Sequence, residues 1–229
     1  TLPDTQYYSQ NTGGLRADTY YAQTQWITDN RDVLNVAFVS HMGDIVQNGD
    51  FSGNPREWLI ADAAMRTIES QPGTLRAHGI PWGGAPGNHD QSPIGDASGS
   101  TVFYNEYFGS SRFTGRTYYA GRYGINNNNN YQLFSASGLD FIILHLEYDT
   151  RSLANYQAVL DWVDALLKAY PNRRAIVTTH WMVNIGNPAT FSTQGQAIYD
   201  NLKDNPNLFL LLGGHVHGEG QRGDVFEGR

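Results

Sequence analysis

The sequence contains no cysteine, and this absence excludes three kinds of site among its 229 residues. A disulfide framework, a thiolate nucleophile and a cysteine-ligated zinc ion all require that residue. The sequence also has no run of about 18 apolar residues, which a membrane-spanning helix needs. We therefore expect no membrane span, and any metal site must use oxygen and nitrogen ligands.

Positive charge is also scarce. Lysine and arginine total 15 against 22 aspartate and glutamate residues, so the net charge is −7, and the lysines are Lys168 and Lys203 alone. Proteins that bind nucleic acid usually carry a basic surface that pairs with phosphates. The composition therefore argues against nucleic acid as a partner, and a nuclease is the weakest functional alternative.

The arrangement of apolar residues predicts an α/β fold. Short apolar runs alternate with stretches in which apolar residues recur every three or four positions. These two patterns are typical of buried strands and amphipathic helices. Their alternation favours sheets covered by helices. We expect strands at 36–40, 80–85, 141–146, 174–178 and 208–212, and helices at 56–70, 153–170 and 195–203.

Residues 91–130, which we name the excursion, have a different composition. This segment is rich in glycine, serine, tyrosine and asparagine, and it includes five consecutive asparagines at 126–130. Long irregular segments in compact domains are usually functional or mobile. We expect the excursion to run over the surface with one short helix at 102–108.

The two ends of the chain lack the features of natural termini. The sequence starts at Thr1 without an initiator methionine or a signal peptide, and it ends at Arg229 without a closing helix or strand pattern. We therefore expect residues 1–229 to form a single domain that is cut from a longer protein at both ends.

Polar residues follow the predicted strands, and they share one chemistry. Sites in open α/β sheets assemble outside the carboxyl ends of the strands. Carboxylate, amide and imidazole groups without sulfur suit Mn, Fe or Zn, and they do not select one of these metals. The set exceeds the needs of one tetrahedral ion, which favours two ions that share a carboxylate. The candidate ligands are Asp4, Gln6, Asp44, Asn88, His180, His215 and His217.

Each of these residues alone has an ordinary structural explanation, such as a turn or a buried histidine. Their repetition at successive strand ends is what favours a metal site. The structural explanation is the better one for three other histidines, which do not follow this pattern. For His41, His78 and His145 we expect structural roles, and His145 lies within a predicted strand.

The motifs at the strand ends resemble those of the calcineurin-like metallophosphoesterase family. The matching segments are Asp4-Thr5-Gln6, Gly43-Asp44, Gly87-Asn88-His89-Asp90, His180 and Gly214-His215-Val216-His217, in the family's order and over almost the whole chain. The flanking segments look like a bacterial branch of the family, many members of which are exported. The resemblance implies a four-layer α/β/β/α sandwich of two mixed sheets flanked by helices.

The resemblance also implies roles for these residues. Two divalent ions are expected to hold a bridging hydroxide that attacks phosphorus. The implied first metal site contains Asp4, Gln6 and His217, the second contains Asn88, His180 and His215, Asp44 bridges the two, and His89 is the acid or transition-state donor.

This sequence departs from the family pattern at two positions. Gln6 replaces a histidine ligand, and Gln47 replaces the aspartate that pairs with the catalytic histidine in many relatives. A neutral amide cannot raise the pKa of an imidazole as a carboxylate does, so Asp50 or Asp90 is a candidate to replace it. Arg112 is a candidate contact for the substrate phosphate, and so is Arg116.

We therefore expect a metal-dependent hydrolase of phosphomonoesters or phosphodiesters. The alternative is a catalytically weak module in which the metals are structural and the Tyr- and Asn-rich excursion binds a glycan or a cell-wall polymer. Gln6 and Gln47 favour that alternative. Retention of glycan without hydrolysis would distinguish it from the enzyme.

Overall fold

The computed structural model describes residues 1–12, 16–74, 76–226 and 228. The helices in this part of the chain are α1 (Gln6–Gln10), α2 (Arg16–Asp29), α3 (Arg56–Glu69), α4 (Gln71–Thr74), α5 (Val102–Tyr107), α6 (Leu153–Ala169) and α7 (Thr193–Leu202). The strands are β1 (Val39–His41), β2 (Trp82–Gly84), β3 (Tyr119–Arg122), β4 (Asn130–Ala136), β5 (Leu139–Leu146), β6 (Arg174–Thr179) and β7 (Leu208–Leu212).

The strands form two sheets. In the smaller sheet β1 pairs in parallel with β2, and Leu2 adds a parallel bridge to His41 at the other side of β1. The larger sheet has the order β3-β4-β5-β6-β7. Its first three strands are antiparallel, whereas β5, β6 and β7 run parallel. The parallel strands therefore bring their carboxyl ends to one edge of the molecule.

Each sheet buries one face under helices. Tyr20 of α2 and Trp58 and Met65 of α3 share a core with Val39 and Trp82 of the smaller sheet. A second core joins the larger sheet to α6 and α7. The other faces of the sheets meet each other, where Phe38 stacks on Phe134 at 4.8 Å between ring centroids. This arrangement of two sheets between helical layers confirms the expected fold class.

Helix α6 illustrates how the sequence produces this packing. Its buried residues recur at helical spacing along one side, and they lie against the larger sheet. The exposed side carries an Asp164–Lys168 ion pair at a separation of four residues. An apolar stripe of this kind stabilises a helix mainly through tertiary packing. No helix among the described residues is long and apolar enough to cross a membrane. The buried residues of α6 are Tyr156, Val159, Leu160, Val163 and Leu167.

The structure corrects several predicted boundaries. The first strand covers Val39–His41 instead of 36–40, the second covers Trp82–Gly84 instead of 80–85, and α7 begins at Thr193 instead of 195. Helix α2 and strands β3 and β4 were not predicted. The short helix expected at 102–108 is present as α5, but the excursion also contributes β3 to the larger sheet.

Candidate metal centre

Three predicted ligands from three different strand ends converge in space. The Nε2 atom of His180, just beyond β6, lies 3.2 Å from Oδ2 of Asp44, which follows β1. The same Nε2 atom lies 3.1 Å from Nδ1 of His215, which follows β7. One ligand atom from each side chain falls within 4.8 Å of the other two. We call Asp44, His180 and His215 the ligand cluster.

Asp4 lies at the edge of the ligand cluster. Its Oδ1 atom is 3.8 Å from Nε2 of His180, and its carboxylate accepts a hydrogen bond from the backbone N–H of His215 at 3.1 Å. The N-terminal segment reaches this place because Leu2 bridges to His41. Asp4 near the start of the chain therefore contacts the residue that follows its last strand.

Gln6 and Asn88 each offer an unused oxygen beside the cluster. The Nε2 group of Gln6 donates to Oδ2 of Asp44 at 3.2 Å. The Oε1 atom of Gln6 and the Oδ1 atom of Asn88 are buried and make no hydrogen bond within the described part of the chain. Buried polar atoms normally have a partner. Two orphaned amide oxygens next to clustered carboxylate and imidazole groups fit a site for divalent cations.

Glycines let the loops of the centre approach one another. A Cβ atom at Gly43 would lie 2.6 Å from the backbone nitrogen of Gly87, and one at Gly87 would collide with the nitrogen and Oδ1 of Asp44. Gly43 also has a φ of +87°, and Asp44 follows it with a φ of +49°. Glycine adopts positive φ without steric cost, whereas aspartate does so less readily. The Gly43-Asp44 turn therefore holds the Asp44 carboxylate in a specific position.

The pairing of His180 with Asp44 changes the pKa of both groups. Burial alone favours the neutral imidazole, but the Asp44 carboxylate outweighs it and raises the pKa of His180. Burial likewise opposes ionisation of Asp44, while the bond from His180 and the N–H of His89 lower its pKa. The buried Asp44 carboxylate is thus stabilised by a nearby positive charge. A divalent cation that takes Asp44 and His180 as ligands supplies such a charge.

His89 lies next to the ligand cluster and is held through its backbone and its ring. Its N–H donates to Oδ1 of Asp44 at 2.9 Å. Its Nδ1 atom lies 3.0 Å from the backbone carbonyl oxygen of Gln47. Since a carbonyl can only accept, Nδ1 carries the hydrogen in this contact, and Nε2 makes no hydrogen bond to the residues that the structure describes.

The acidic residues expected to replace the missing partner of His89 have other roles. Asp50 accepts hydrogen bonds from the backbone N–H groups of Val102 and Phe103 at 2.7 and 2.8 Å. It therefore anchors the first turn of α5, which corrects the expectation that it supports His89. The Gln47 side chain does not pair with the His89 ring either. Its Oε1 atom is buried and has no hydrogen-bond partner in the described residues.

Asp90 is fully buried below the turn that carries the ligands. Its carboxylate accepts from the N–H groups of Ile45, Val46 and Gly87 at 2.8 to 3.1 Å. Burial and the nearby charge of Asp44 raise the pKa of Asp90 to about 8, and the three N–H donors oppose this shift. Asp90 therefore joins the turn after β1 to the turn after β2, and it makes no hydrogen bond to the described ring of His89.

Arg112 is engaged in a structural ion pair instead of facing a substrate. Its guanidinium pairs with Asp62 and with Glu69, both on α3, the latter at 2.9 Å. It also lies over the rings of Trp82 and Phe108. The predicted phosphate contact is wrong for this arrangement, because these groups occupy the guanidinium. Arg116 shares Glu69 with it at 3.0 Å.

His217 does not join the ligand cluster. It is exposed, and it stays outside the group of ligand atoms that the described residues form. Its backbone follows that of His215 by two residues, and its charge lowers the pKa of Asp4, although burial raises that pKa overall. The role of His217 as a metal ligand therefore stays a prediction.

Two of the three histidines expected to be structural are buried on either side of the small sheet. Nε2 of His41 contacts Oγ1 of Thr5 at 3.0 Å, and Nε2 of His145 contacts Oγ of Ser40 at 3.0 Å. Burial lowers the pKa of both His41 and His145 to about 3. They are neutral packing groups outside the ligand cluster, and His78 is exposed in the loop before β2.

Two aromatic residues beside the centre were not predicted. Tyr148 follows β5, and its ring centroid is 6.0 Å from that of His180 and 5.7 Å from that of His215. Trp181 follows His180, with its ring 4.9 Å from that of His215. The sequence analysis selected only polar residues that follow predicted strands. Tyr148 and Trp181 also follow strands, so a search that included aromatic residues would have identified them.

Comparison with known proteins places the chain among phosphoesterases. Residues 3–219 match the model of the calcineurin-like phosphoesterases. An uncharacterized protein of Bacillus subtilis (strain 168), YvnB, is 34% identical over 228 residues, which cover 99% of this chain and 16% of that protein. The chain thus spans about a sixth of the length of this relative.

Proposed function

The chain belongs to the calcineurin-like phosphoesterase family, and from that premise we propose that it hydrolyses phosphoesters at the ligand cluster with two divalent ions. Members of this family are hydrolases and generally use divalent metals. The observation that supports the proposal most is the convergence of Asp44, His180 and His215 from three strand ends. Neither a turn nor a packing role requires those side chains to meet.

The family resemblance implies which residues would hold the ions. Asp44 lies centrally, because it contacts His180, Gln6 and the backbone of His89. We assign His180, His215 and Asn88 to one side of it, and Asp4, Gln6 and His217 to the other. Bound divalent ions supply Lewis-acid polarisation of the phosphoryl group and activation of water at neutral pH.

His89 is the proton donor in this proposal. The Gln47 carbonyl accepts the Nδ1 hydrogen, so it is the imidazolium form of His89 that would give its second proton, on Nε2, to the leaving oxygen and become the neutral Nδ1–H tautomer. The backbone bond to Asp44 ties the position of His89 to the ligand cluster. General acids held in this way typically accelerate a reaction by about 10²- to 10⁴-fold.

The excursion gives little support to a glycan-binding module. Four of its five consecutive asparagines, at 127–130, are buried. Asn128 and Asn129 donate to the carboxylate of Glu147 at 2.8 and 2.9 Å. Amides that are directed inward in this way cannot serve a polymer on the surface, so we do not favour the binding-module alternative.

The test is hydrolysis by purified protein loaded with Mn²⁺. We expect turnover of p-nitrophenyl phosphate or of bis(p-nitrophenyl) phosphate, and loss of that turnover in Asp44→Asn. Asp161→Asn is the matched control, since Asp161 is exposed on α6 and bonds to Gln157 of the same helix. Absence of turnover on both esters and on a wider phosphoester panel, in protein shown to contain metal, would refute the proposal.

A further inference from the structure

Tyr148 and Trp181 form an aromatic pair beside the ligand cluster. Their ring planes are nearly parallel, at 9°, with centroids 6.5 Å apart. Each ring also lies within 6 Å of the His215 ring. We call Tyr148 and Trp181 the aromatic pair. The aromatic pair therefore borders the ligand cluster on the side of His180 and His215.

The aromatic pair does not belong to either packed core. Both rings are half-buried, and neither is a member of the two clusters of buried apolar residues that hold the sheets to the helices. Partly exposed aromatic rings next to polar ligands gain little from packing in the free protein. Their remaining apolar surface is available to a ligand.

The backbone and side-chain contacts of the pair fix it in place. The N–H of Tyr148 donates to the carbonyl of Pro86 at 2.9 Å, and its carbonyl accepts from Nε2 of Gln91 at 2.8 Å. Nε1 of Trp181 donates to Oδ1 of Asn184 at 3.2 Å. The backbone of Tyr148 and the indole of Trp181 are therefore held before a ligand binds, which reduces the conformational entropy lost when a ligand stacks on the pair.

Two exposed aliphatic side chains lie in segments that adjoin the centre. Ile94 is 56% exposed, and it precedes Gly95, whose Cβ position lies 3.8 Å from Cε1 of Tyr148. Ile185 is 60% exposed and packs near Gly218, the residue after His217. The one cation close by in sequence, Arg151, is paired with Asp149 at 2.6 Å. The segments that carry Ile94 and Ile185 therefore add exposed apolar surface close in sequence to the residues of the centre.

We propose that the aromatic pair stacks against the leaving group, so that the preferred substrates are phosphoesters of planar aromatic alcohols. This inference rests on the proposed phosphoesterase function and specifies its substrate class. Aromatic stacking contributes about 0.5–1.5 kcal/mol beyond burial of area. Removal of one ring therefore lowers kcat/KM for an aryl ester by about 2- to 12-fold.

The experiment compares two esters whose leaving groups have similar acidity. Phenyl phosphate carries a ring, whereas hexafluoroisopropyl phosphate does not, so the difference in kcat/KM between them reports contact with the ring. We expect Trp181→Leu and Tyr148→Leu to raise KM for phenyl phosphate within the stated range and to leave the alkyl ester within about 2-fold. Trp181→Phe, which keeps a ring, should retain most of the preference.

Trp26→Leu is the matched control. Trp26 is 57% exposed on α2, and its backbone carbonyl accepts from Asn30 of the same segment. Trp26→Leu should not change the ratio of kcat/KM for phenyl phosphate to kcat/KM for hexafluoroisopropyl phosphate. Equal losses on both esters in the Trp181 and Tyr148 variants, or no loss on either, would overturn the inference.

Binding of a non-hydrolysable ligand separates this inference from the proposed function. Isothermal titration of the Mn²⁺-loaded protein with benzylphosphonate and with propylphosphonate measures the preference for a ring without turnover. If benzylphosphonate binds more tightly than propylphosphonate and Trp181→Leu removes this difference, the role of the aromatic pair is supported. That holds even if no ester is hydrolysed, and then only the proposed phosphoesterase function is refuted. Equal affinity for the two phosphonates overturns the inference even if esters are hydrolysed.

Discussion

The Nδ1 atom of His180 lies 2.9 Å from the backbone carbonyl oxygen of Met42. The carbonyl accepts the Nδ1 hydrogen, so the Nε2 atom faces the Asp44 carboxylate and the His215 ring. Metal-ligating histidines are commonly oriented by such a bond from their second nitrogen. Because Met42 and Asp44 belong to the same turn after β1, this turn both orients one ligand and supplies another.

Asp44 should be required for both metal equivalents. Asp44→Asn keeps the shape of the side chain and removes the charge that a shared carboxylate contributes. We therefore expect the purified variant to lose about two equivalents of metal relative to the parent chain, measured by elemental analysis after loading and desalting. The exposed Asp161→Asn should retain them. If Asp44→Asn keeps both equivalents, Asp44 is not a ligand.

His89 should be sensitive to substitution while Gln47 is not. The contact that orients the His89 ring comes from the backbone carbonyl of Gln47, and the Gln47 side chain contributes nothing to it. We expect His89→Ala to lower kcat by about 10²- to 10⁴-fold. Gln47→Ala should stay within a few-fold of the parent, and its metal content should not change.

Steady-state kinetics on one activated ester and on one ester with a poor leaving group would check this prediction. A general acid matters most when the leaving oxygen is basic, so His89→Ala should damage hydrolysis of the poorer ester more. A large loss in Gln47→Ala would show instead that the side chain positions His89.

His41 and His145 should each lower the free energy of unfolding in mild acid. The unfolded chain takes up a proton on each imidazole near the ordinary pKa of 6.5, whereas burial holds the folded pKa of each at about 3. The unfolded state therefore binds more protons between these pH values. The contribution of these two histidines to the free energy of unfolding is fully present above pH 6.5 and is lost progressively as the pH falls. Asp90 and Glu147, whose folded pKa values are raised to about 8 and about 7, act in the opposite direction, so the histidine contribution is isolated by comparing variants.

The expected slope is about 1.4 kcal/mol per pH unit for each histidine. Urea unfolding of metal-free protein at pH values from 7.5 to about 4.5 measures it. His145→Gln keeps a polar group near Ser40 and removes one titrating site. The dependence of its free energy of unfolding on pH should therefore lack the contribution of one histidine, about 1.4 kcal/mol per pH unit. His78→Gln, at an exposed position, should leave the slope unchanged. An unchanged slope in His145→Gln would contradict this explanation.

Much of the centre could be predicted because it obeys a rule about strand ends. Asp44, Asn88, His180 and His215 each follow a strand whose apolar run is visible in the sequence. The parallel arrangement then brings them to one edge. The predicted roles of Arg112 and Asp50 failed for a different reason. Both lie in or near irregular segments, where the partner of a charged group is set by tertiary packing that one sequence does not reveal.

The burial of the asparagine run at 126–130 also could not be predicted from the local sequence. Composition suggested an exposed loop, but Asn128 and Asn129 donate to Glu147, and Asn130 begins β4. Burial of a polar run is stable only when each amide finds a partner. That condition depends on Glu147, which is 17 residues beyond the end of the run, so local sequence cannot indicate it. Helix α2 was not predicted for a different reason. Its apolar residues are not concentrated on one face of the helix, so the sequence lacks the periodic pattern that indicates a helix.

Gly87 should be as necessary to the centre as the ligands, although it binds nothing. A Cβ atom there would collide with the backbone nitrogen and Oδ1 of Asp44, so Gly87→Ala must displace either the Asp44 turn or the loop that carries Asn88. We expect the variant to remain folded but to lose metal and hydrolytic activity together, because a shift of about 1 Å is enough to disturb a positioned group. Circular dichroism and elemental analysis of the same preparation measure the two effects. Gly223→Ala is the control, since no atom lies within 4 Å of its Cβ position and its φ is not in the left-handed region. If Gly87→Ala binds metal as the parent does, the close approach of the two turns is not what positions Asp44.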